Sequence, residues 1–232
     1  MAHYLIIAAS SGIGKAVVKA LELQGDTVFT TARDQSKIKA NAILDATDFD
    51  AVSEVFKQAG AIDGVVNCSG SLLLKSAHTT SKEQFKEVMD ASLTTAFATV
   101  RAAGMHMKSG GSVILISSAA AMSGFANHEA IAAAKAGIIG LTLSAAATYA
   151  NNNIRFNAIA PGMTDTPMTA QLVSNVTAFN ASKSMHPLGR IGSPEDIARA
   201  IVFLLNPENS WITGQVLAVD GGLSRVRPKV KI

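Results

Sequence analysis

The chain alternates short runs rich in β-branched and other apolar residues with longer segments of helical length, and this alternation constrains its fold more than any other feature. The runs predict six strands, at Tyr4–Ala9, Thr27–Ala32, Gly64–Asn67, Ser112–Ser117, Ile154–Ala160 and Gln215–Val219. The longer segments predict five helices, at Gly12–Gln24, Asp50–Ala59, Ser81–Met107, Ala130–Asn151 and Pro194–Leu205. Strands that alternate with helices in this way form a parallel sheet with right-handed crossovers and helices on both faces. We therefore predict an α/β fold with a doubly wound parallel sheet.

Length and composition predict that this fold is a single domain of Rossmann type spanning residues 1–232. Doubly wound folds often occupy such a length as one unit. An apolar fraction of 48% with only 16% charged residues implies a wide core on both faces of the sheet and further burial between subunits. The segment 163–193 has weak helix and strand signals, and a stretch of that length inside a compact domain is typical of a lid or binding loop.

Several classes of function and location are disfavoured by the sequence. No uninterrupted apolar run approaches the roughly 18 to 20 residues that span a bilayer, and the first residues lack the pattern of a signal peptide, so we expect a cytoplasmic protein without a membrane partner. The single cysteine, Cys68, excludes an internal disulfide and a cysteine-cluster metal site, and we predict no metal. The net charge of +3 is concentrated at Arg225, Arg227, Lys229 and Lys231, which is too small a basic face to predict nucleic-acid binding.

The segment Ala130–Asn151 predicts self-association. It is apolar on nearly all sides, and a helix without a polar face must be covered on more than one side. Small residues keep its surface thin, at Ala132, Ala133, Ala134, Ala136, Gly137 and Gly140. One side would meet the sheet and the other a symmetry mate, which predicts a homodimer or homotetramer; burial within the monomer alone is the alternative.

A glycine-containing turn between the first strand and the first helix predicts a phosphate site. Its residues are Ser10, Ser11, Gly12, Ile13 and Gly14. The two glycines let the backbone approach a pyrophosphate closely, and the free N–H groups at the start of the helix favour its negative charge. Ligands of doubly wound sheets bind beyond the carboxyl ends of the strands, where the strand order reverses, so this turn lies where a dinucleotide is expected.

The turn resembles the Thr-Gly-x-x-x-Gly-x-Gly motif of the short-chain dehydrogenase/reductase family, with Ile7 and Ala8 in place of its threonine and first glycine. Further segments resemble that family in the same order along the chain: Asp45–Asp48, Asn67–Gly70, Pro161–Thr166 and Ile212–Gly222, the last being close to the ending of 3-oxoacyl-acyl-carrier-protein reductases. The resemblance covers essentially the whole chain and implies a nicotinamide dinucleotide cofactor. The cofactor-binding residues that it implies are Asp45 on adenine, Asn67, Ser69 and Gly70 beside the cofactor, Lys135 on the nicotinamide ribose, and Pro161, Gly162, Thr164 and Thr166 at the nicotinamide.

The end of the second strand favours NADP over NAD. An acidic residue there would accept hydrogen bonds from the ribose hydroxyls and repel a 2′-phosphate. The sequence has Ala32 followed by Arg33, whose guanidinium can pair with a phosphate and stack on adenine. Asp34 stands next to it, so NAD remains open.

The family resemblance implies a catalytic serine, tyrosine and lysine, of which the tyrosine is missing. Ser118 follows a predicted strand at the serine position, and Lys135 matches the lysine of Tyr-x-x-x-Lys. Four residues before that lysine stands Ile131, which has no ionisable proton and cannot act as a general acid. In close relatives the serine and the tyrosine lie 13 positions apart, which is also the separation of Ser118 and Ile131, so a gap does not explain the loss. Ser92 stands at the position of the family's helix asparagine.

Two functions follow from this altered site. The first is an NADP-dependent oxidoreductase with altered proton delivery, through His128, Ser118 or water, acting on a carbonyl, an enone or an imine. An imidazole at His128 could carry the proton, although a solvent-facing histidine without a proton role is the alternative. The second is a cofactor-binding protein with little or no catalysis, such as a sensor or assembly subunit. Met163, Met168, Leu172, Val173, Val176, Phe179 and Met185 favour an apolar substrate portion, unless they only pack the lid.

Overall fold

The computed structural model describes residues 1–228 and confirms the predicted α/β class. The strands are β1 (His3–Ile7), β2 (Thr27–Ala32), β3 (Ala42–Ile43), β4 (Gly64–Asn67), β5 (Gly111–Ile116), β6 (Ile154–Pro161) and β7 (Val216–Val219). The helices are α1 (Gly12–Leu23), α2 (Phe49–Ala59), α3 (Lys82–Met89), α4 (Thr95–His106), α5 (Glu129–Tyr149), α6 (Ala170–Ser174), α7 (Val176–Met185) and α8 (Pro194–Leu205). Of the basic tail residues, Arg225 and Arg227 are exposed, and Lys229 and Lys231 lie outside the described residues.

The strands form one parallel sheet in the order β3-β2-β1-β4-β5-β6-β7. The chain moves outward from β1 to β3 and then returns to place β4 on the other side of β1, so the order reverses between β1 and β4. Ile7 pairs with Asn67 and Asn67 with Leu115 across this point. The turns that follow β1, β4 and β5 therefore meet at one edge of the sheet.

Two hydrophobic layers cover the sheet because side chains of a strand alternate between its faces. Leu5 and Ile7 belong to the cluster that contains Phe56 of α2 and Phe156 of β6. Ile6 belongs to the opposite cluster, which contains α1 and α8 residues. Burying each large aliphatic side chain contributes about 1.5–3 kcal/mol, so the paired layers hold the carboxyl edge of the sheet in a fixed shape.

The predicted helix Ser81–Met107 is divided in the structure into α3 and α4. Ser81 begins it with a capping box in which its hydroxyl accepts from the Gln84 N–H. A π-helical turn at Asp90–Thr94 then separates the two α-helices. Such turns insert an extra residue into a helix and are frequent at functional sites, and this one carries Ser92.

The predicted lid segment 163–193 contains two helices, α6 and α7, that the sequence pattern did not predict. Its ends are joined at the base by a parallel bridge between Thr164 and Gly192. No side chain of α6 or α7 is fully buried, so the apolar periodicity that identifies core helices is weak here.

Helix α5 with the turn after it, Glu129–Asn152, is long and apolar enough to cross a bilayer by length and composition, with a mean hydropathy of 1.6. In the fold this helix packs on β6 and beside α3 and α4. Ile131, Lys135 and Ile138 are among its buried residues. Its position against the sheet is that of a core helix of an α/β layer.

Candidate active site

A large cleft lies at the carboxyl ends of the strands, beside the reversal of strand order. Its volume is about 1340 Å³, above the roughly 300–1000 Å³ of common small-molecule pockets. The turns after β1, β2, β4, β5 and β6 form its floor and α6 and α7 its cover. The predicted residues that line it are Ser10, Ser11, Gly12, Ile13, Arg33, Asp45, Ser69, Gly70, Ser118, His128, Lys135, Pro161, Gly162, Thr164 and Thr166.

The turn between β1 and α1 has the features of an anion site. The Ser11 hydroxyl accepts from the Gly14 N–H at 3.0 Å and caps the helix. Within the described part of the chain, the N–H groups of Gly12 and Ile13 make no hydrogen bond. Two unpaired donors at the positive end of a helix suit a phosphate oxygen.

Close packing around this turn explains both of its glycines. A Cβ atom placed on Gly12 would lie 2.9 Å from the Cβ of Thr166, on the segment after β6. A Cβ on Gly14 would lie 2.7 Å from the carbonyl oxygen of Ala8. Gly14 does not itself line the cleft; its lack of a side chain lets α1 pack tightly behind the turn.

Ala8, which replaces the first glycine of the predicted motif, adopts a φ of 58°. This left-handed conformation costs an L-residue roughly 1–2 kcal/mol because its Cβ crowds the backbone. Ala8 also accepts the Ser11 N–H at 3.0 Å. The glycine turn is therefore formed by an alanine under strain.

The end of the cleft beside β2 is rich in cationic groups. Arg33 is exposed there, together with Lys15 and Lys37. The Asp34 carboxylate is occupied within its own turn, where it accepts from the Ser36 N–H at 2.8 Å and from the Ser36 hydroxyl at 2.6 Å. This arrangement leaves Arg33 as the group after β2 that faces an incoming anion.

Asp45 lies across the same end of the cleft. Hydrogen bonds from the Thr47 N–H and hydroxyl, aided by the charge of Arg33, hold the pKa of Asp45 below its usual value. Its carboxylate is therefore ionised at neutral pH and can accept further hydrogen bonds from a ligand.

Asn67 lies beneath the cleft and organises the turn after β4. Its Oδ1 accepts from the Ser69 N–H at 2.8 Å, and its Nδ2 donates to the Thr99 hydroxyl at 2.9 Å. The side chain is buried and does not line the cleft, whereas Ser69 and Gly70 do. Asn67 thus positions the residues that can touch a ligand.

Lys135 is buried, and hydrogen bonds hold both its side chain and its main chain to the end of β5 and the residue that follows it. Its Nζ donates to the carbonyl of Ile116 at 2.8 Å, and its own carbonyl accepts from the Ser117 hydroxyl at 2.8 Å. Burial lowers the pKa of Lys135 to about 8. A Cβ on Gly70 would lie 3.2 Å from Nζ, so a side chain there would crowd the ammonium, and Lys135 is one of the residues that line the cleft.

Cys68 lines the cleft near Lys135 but is a poor nucleophile. Burial raises the pKa of its thiol to about 12, although the charge of Lys135 and a hydrogen bond with Ser11 act in the opposite direction. A thiol with such a pKa is protonated at neutral pH.

Ser118 and Ile131 line the same cleft as Lys135. The Ser118 Oγ accepts from the Ala120 N–H at 3.1 Å, which leaves its hydroxyl hydrogen free for a ligand oxygen. Ile131 is 4% exposed and packs with Val88 and Ala134. It brings an apolar surface to the position where the family resemblance predicts a phenol.

His128 also reaches the cleft, from the N-cap position of α5. Its Nδ1 lies 2.7 Å from the Ala126 carbonyl oxygen, and its ring meets Phe125 edge-on. A carbonyl can only accept, so Nδ1 carries the hydrogen. Nε2 is then a base in the neutral ring and can donate a proton only from the imidazolium.

Two hydroxyls at the site are buried without a partner in the described residues, Ser71 Oγ and Ser92 Oγ. Ser71 lines the cleft, and Ser92 lies in the π-helical turn beside the lining residues Ala91 and Thr95. Buried hydroxyls usually have a hydrogen-bond partner, so both positions suit a bound water or ligand atom.

Comparisons with known proteins agree with this geometry. The family model described as Enoyl-(Acyl carrier protein) reductase matches residues 7–224. The 3-oxoacyl-[acyl-carrier-protein] reductase FabG of Thermotoga maritima is 35% identical over 94% of this chain and 96% of its own. A short-chain type dehydrogenase/reductase from Mycobacterium ulcerans has a TM-score of 0.89 with 28% identity over 96% of this chain and 90% of its own. ElxO with NADP bound has a TM-score of 0.87 with 30% identity over 96% of this chain and 99% of its own.

The chain belongs to the short-chain dehydrogenase/reductase family. It is an oxidoreductase of that family by sequence over nearly its full length and by fold. The predicted Rossmann-type architecture and the predicted enzyme class are both confirmed by these relatives.

Sequence reasoning missed several residues of this short-chain dehydrogenase/reductase that line the cleft. They include Lys15, Lys37, Ser71, Leu72, Leu74, Phe125 and Leu223. Lys15 and Lys37 could have been found because they lie close in sequence to the phosphate turn and Arg33. Leu223 gave no local signal, because it reaches the cleft from the turn after β7.

Proposed function

We propose that the protein is an NADP-dependent oxidoreductase in which a proton is delivered by a group other than a tyrosine. The observation that supports this proposal best is the presence of the Lys135 ammonium and a free Ser118 hydroxyl together with an apolar Ile131 in one cleft. A protein that only bound a nucleotide could use Lys135 to hold the ribose, but it would have no need of a free Ser118 hydroxyl at the substrate end.

NADP fits the residues of the phosphate turn and of the β2 end. Gly12 and Ile13 would bind the pyrophosphate through their N–H groups, and Arg33 would bind the 2′-phosphate, with Lys15 and Lys37 adding positive charge. Asp34 would not repel that phosphate from close range, because its carboxylate is turned to Ser36. ElxO, which has this fold, is known with NADP bound. NAD is the weaker candidate because it lacks the group that these cations would bind.

The chain's own residues would orient the substrate and manage its proton. The reduced nicotinamide would supply a hydride. Ser118 would donate a hydrogen bond to the substrate oxygen, and the Lys135 ammonium would lie beside the cofactor ribose and stabilise negative charge. Ile131 would exclude water without donating a proton. His128 as its imidazolium, Ser118 or a bound water would then provide the proton.

The missing acid affects carbonyl substrates most. Reduction of a ketone produces an alkoxide that needs a proton, and the loss of a general acid slows such a step about 10²- to 10⁴-fold. Reduction of an iminium gives a neutral amine directly, and reduction of an activated C=C bond gives an enolate, which a proton from water can neutralise; neither reaction forms an alkoxide. We therefore include imines and enones beside carbonyl compounds as substrate classes.

The substrate would be a small molecule with an apolar portion. Met168, Leu172 and Met185 line the cover of the cleft, and Phe125 and Leu223 line its sides. Apolar side chains with a few polar groups are typical of small-molecule sites.

We propose a homodimer or homotetramer that works in the cytoplasm without nucleic-acid or membrane partners. Helix α5 exposes an apolar stripe that contains Ala133, Ala136, Gly140, Leu143 and Ala147. Small residues spaced three to four apart allow two helices to pack closely. This stripe is the surface where a second copy would bind.

A titration followed by a substrate panel tests the function. NADPH and NADH are titrated by their fluorescence, and turnover is then measured with ketones, enones and imines. We expect tighter binding of NADPH and turnover of at least one imine or enone. Tight binding without any turnover would contradict an enzyme and favour a sensor or assembly subunit, and failure to bind either cofactor would contradict both functions.

A further inference from the structure

His186 joins the cover of the cleft to the segment after β6. The side chain is 4% exposed and follows α7 directly. Its Nδ1 lies 2.6 Å from the carbonyl oxygen of Ser182 in α7, and its Nε2 accepts from the N–H of Met163 at 3.2 Å. One imidazole therefore connects α7 with the segment after β6, although His186 and Met163 are 23 residues apart in the sequence.

The two partners dictate a single form of the ring. The Ser182 carbonyl can only accept a hydrogen bond and the Met163 N–H can only donate one, so Nδ1 carries the hydrogen and Nε2 the free lone pair. The neutral ring in this orientation satisfies both. A ring turned over by 180° would place carbon atoms against both groups and leave buried polar atoms unpaired.

Neighbouring segments pack closely around the ring. A Cβ on Gly162 would lie 2.8 Å from Nε2, and the same atom would lie 2.9 Å from the Cα of Asp220. The turn after β7 closes the other side, where the Leu188 N–H donates to the carbonyl of Gly221. Asp220 is the charged group that faces the ring, and its carboxylate is satisfied by Ser224 and Gly222.

We propose that His186 is a positioning residue that fixes α7 over the cleft and aligns the segment Pro161–Met163 with it. The proposal rests on the proposed function, because that segment would hold the nicotinamide. Bound cofactor and a closed cover would then support each other through one side chain, and loss of either hydrogen bond would free both segments.

Three substitutions separate the two hydrogen bonds. His186→Asn places an amide nitrogen near the position of Nδ1 and retains the bond to Ser182, whereas His186→Gln places an amide oxygen near Nε2 and retains the bond from Met163. His186→Leu removes both. We call His186 with these two hydrogen bonds the joint. Gly162→Ala would place a Cβ atom against Nε2 and disturb the joint from the side of the segment after β6.

The measurements are the NADPH dissociation rate, the KM for NADPH beside kcat, and hydrogen–deuterium exchange of residues 176–185, with residues 12–23 as an internal control. We expect the Asn and Gln variants each to release NADPH roughly threefold to tenfold faster, the size of one buried hydrogen bond, and the Leu variant faster still. KM should rise more than kcat falls. Exchange should accelerate in α7 and not in α1.

Wild-type dissociation and wild-type α7 exchange in the Leu variant would overturn the proposal. So would a general loss of stability that accelerates exchange in α1 and α7 alike, since it would make His186 an ordinary core residue. If the Leu variant does not fold, the Asn and Gln variants decide the same question. If the wild-type protein binds no NADPH, the proposed function fails, while α7 exchange in the cofactor-free variants still tests the joint.

Discussion

Ile131 lies one helical turn before Lys135 on α5, and the side chains of both residues line the cleft. Residues four apart share a helix face, so a side chain at 131 reaches the region beside the ammonium. The chain retains the charge that would support an acid and has an alkyl group where the family resemblance predicts that acid.

Replacement of Ile131 by tyrosine should increase ketone or 3-oxoacyl reduction at least about tenfold, because general acids contribute about 10²- to 10⁴-fold. Steady-state rates with NADPH test this. Ile131→Phe is the matched control, since it adds the ring without the hydroxyl and should give no increase. Equal rates for the two variants would mean that the substrate pocket has also diverged.

Substitution of Arg33 by alanine should weaken NADPH binding far more than NADH binding, because only NADPH carries the 2′-phosphate that a guanidinium would pair with. Fluorescence titration gives both dissociation constants. Lys19→Ala removes a positive charge from an exposed site on α1 that does not line the cleft and should change neither. If the Arg33 substitution weakened the binding of both cofactors equally, Arg33 would not be the residue that binds the 2′-phosphate.

Replacement of Ala8 by glycine should stabilise the protein by about 1 kcal/mol, since glycine adopts the φ of 58° without the Cβ crowding. Urea unfolding measures the change. Ala9→Gly serves as the control and should destabilise, because Ala9 is fully buried in the core. A less stable Ala8→Gly protein would show that the alanine methyl contributes more than its strain costs.

Binding of NADPH should weaken above about pH 8. Burial lowers the pKa of Lys135 to about 8, so the ammonium is present below that pH and is lost as the pH rises through it, and with it the attraction for an anionic cofactor. Dissociation constants between about pH 6.5 and 9.5 test this. Lys135→Met should bind NADPH more weakly at every pH, and its dissociation constant should not increase above about pH 8. If the dissociation constant of that variant still increases there, the pH dependence belongs to another group.

The protein should sediment as a dimer or tetramer, and Leu143→Glu should lower its mass in solution. Leu143 is 52% exposed on the apolar stripe of α5, where a carboxylate would be buried against a second copy at high cost. Leu23→Glu is the control, at a residue 79% exposed near the end of α1, and should leave the mass unchanged. A monomeric wild-type protein would contradict the proposed assembly.

The major elements could be predicted because burial imposes a period on the sequence. Helices α1 and α8 and the central strands have apolar residues at regular positions that face the two core layers. Strand β3 was missed because it has two residues, with a half-buried Ala42 and an exposed Ile43. Helices α6 and α7 were missed because they cover a cleft rather than a core and bury no side chain completely.

The candidate site was predictable where chemistry depends on short motifs, as in the turn from Ser10 to Gly14 and in the spacing of Ser118 and Lys135. At Ala8 the sequence showed only that an alanine replaces the first glycine of the motif, and it did not predict the left-handed conformation. The joint at His186 was not predictable, because its two partners are main-chain atoms that any residue could provide. Leu223 likewise reaches the cleft only through tertiary structure.

Lys135 is anchored by the Ile116 carbonyl and the Ser117 hydroxyl, and neither anchor involves residue 131. The hydrogen bonds that hold Lys135 to β5 and to Ser117 therefore do not depend on the side chain at position 131. The side chain at position 131 can therefore be substituted while Lys135 keeps its hydrogen bonds. A library of substitutions there would place different acids, bases and hydrogen-bond donors beside the same ammonium. One substitution would then change the proton-transfer group of the site without changing the hydrogen bonds that hold its positive charge.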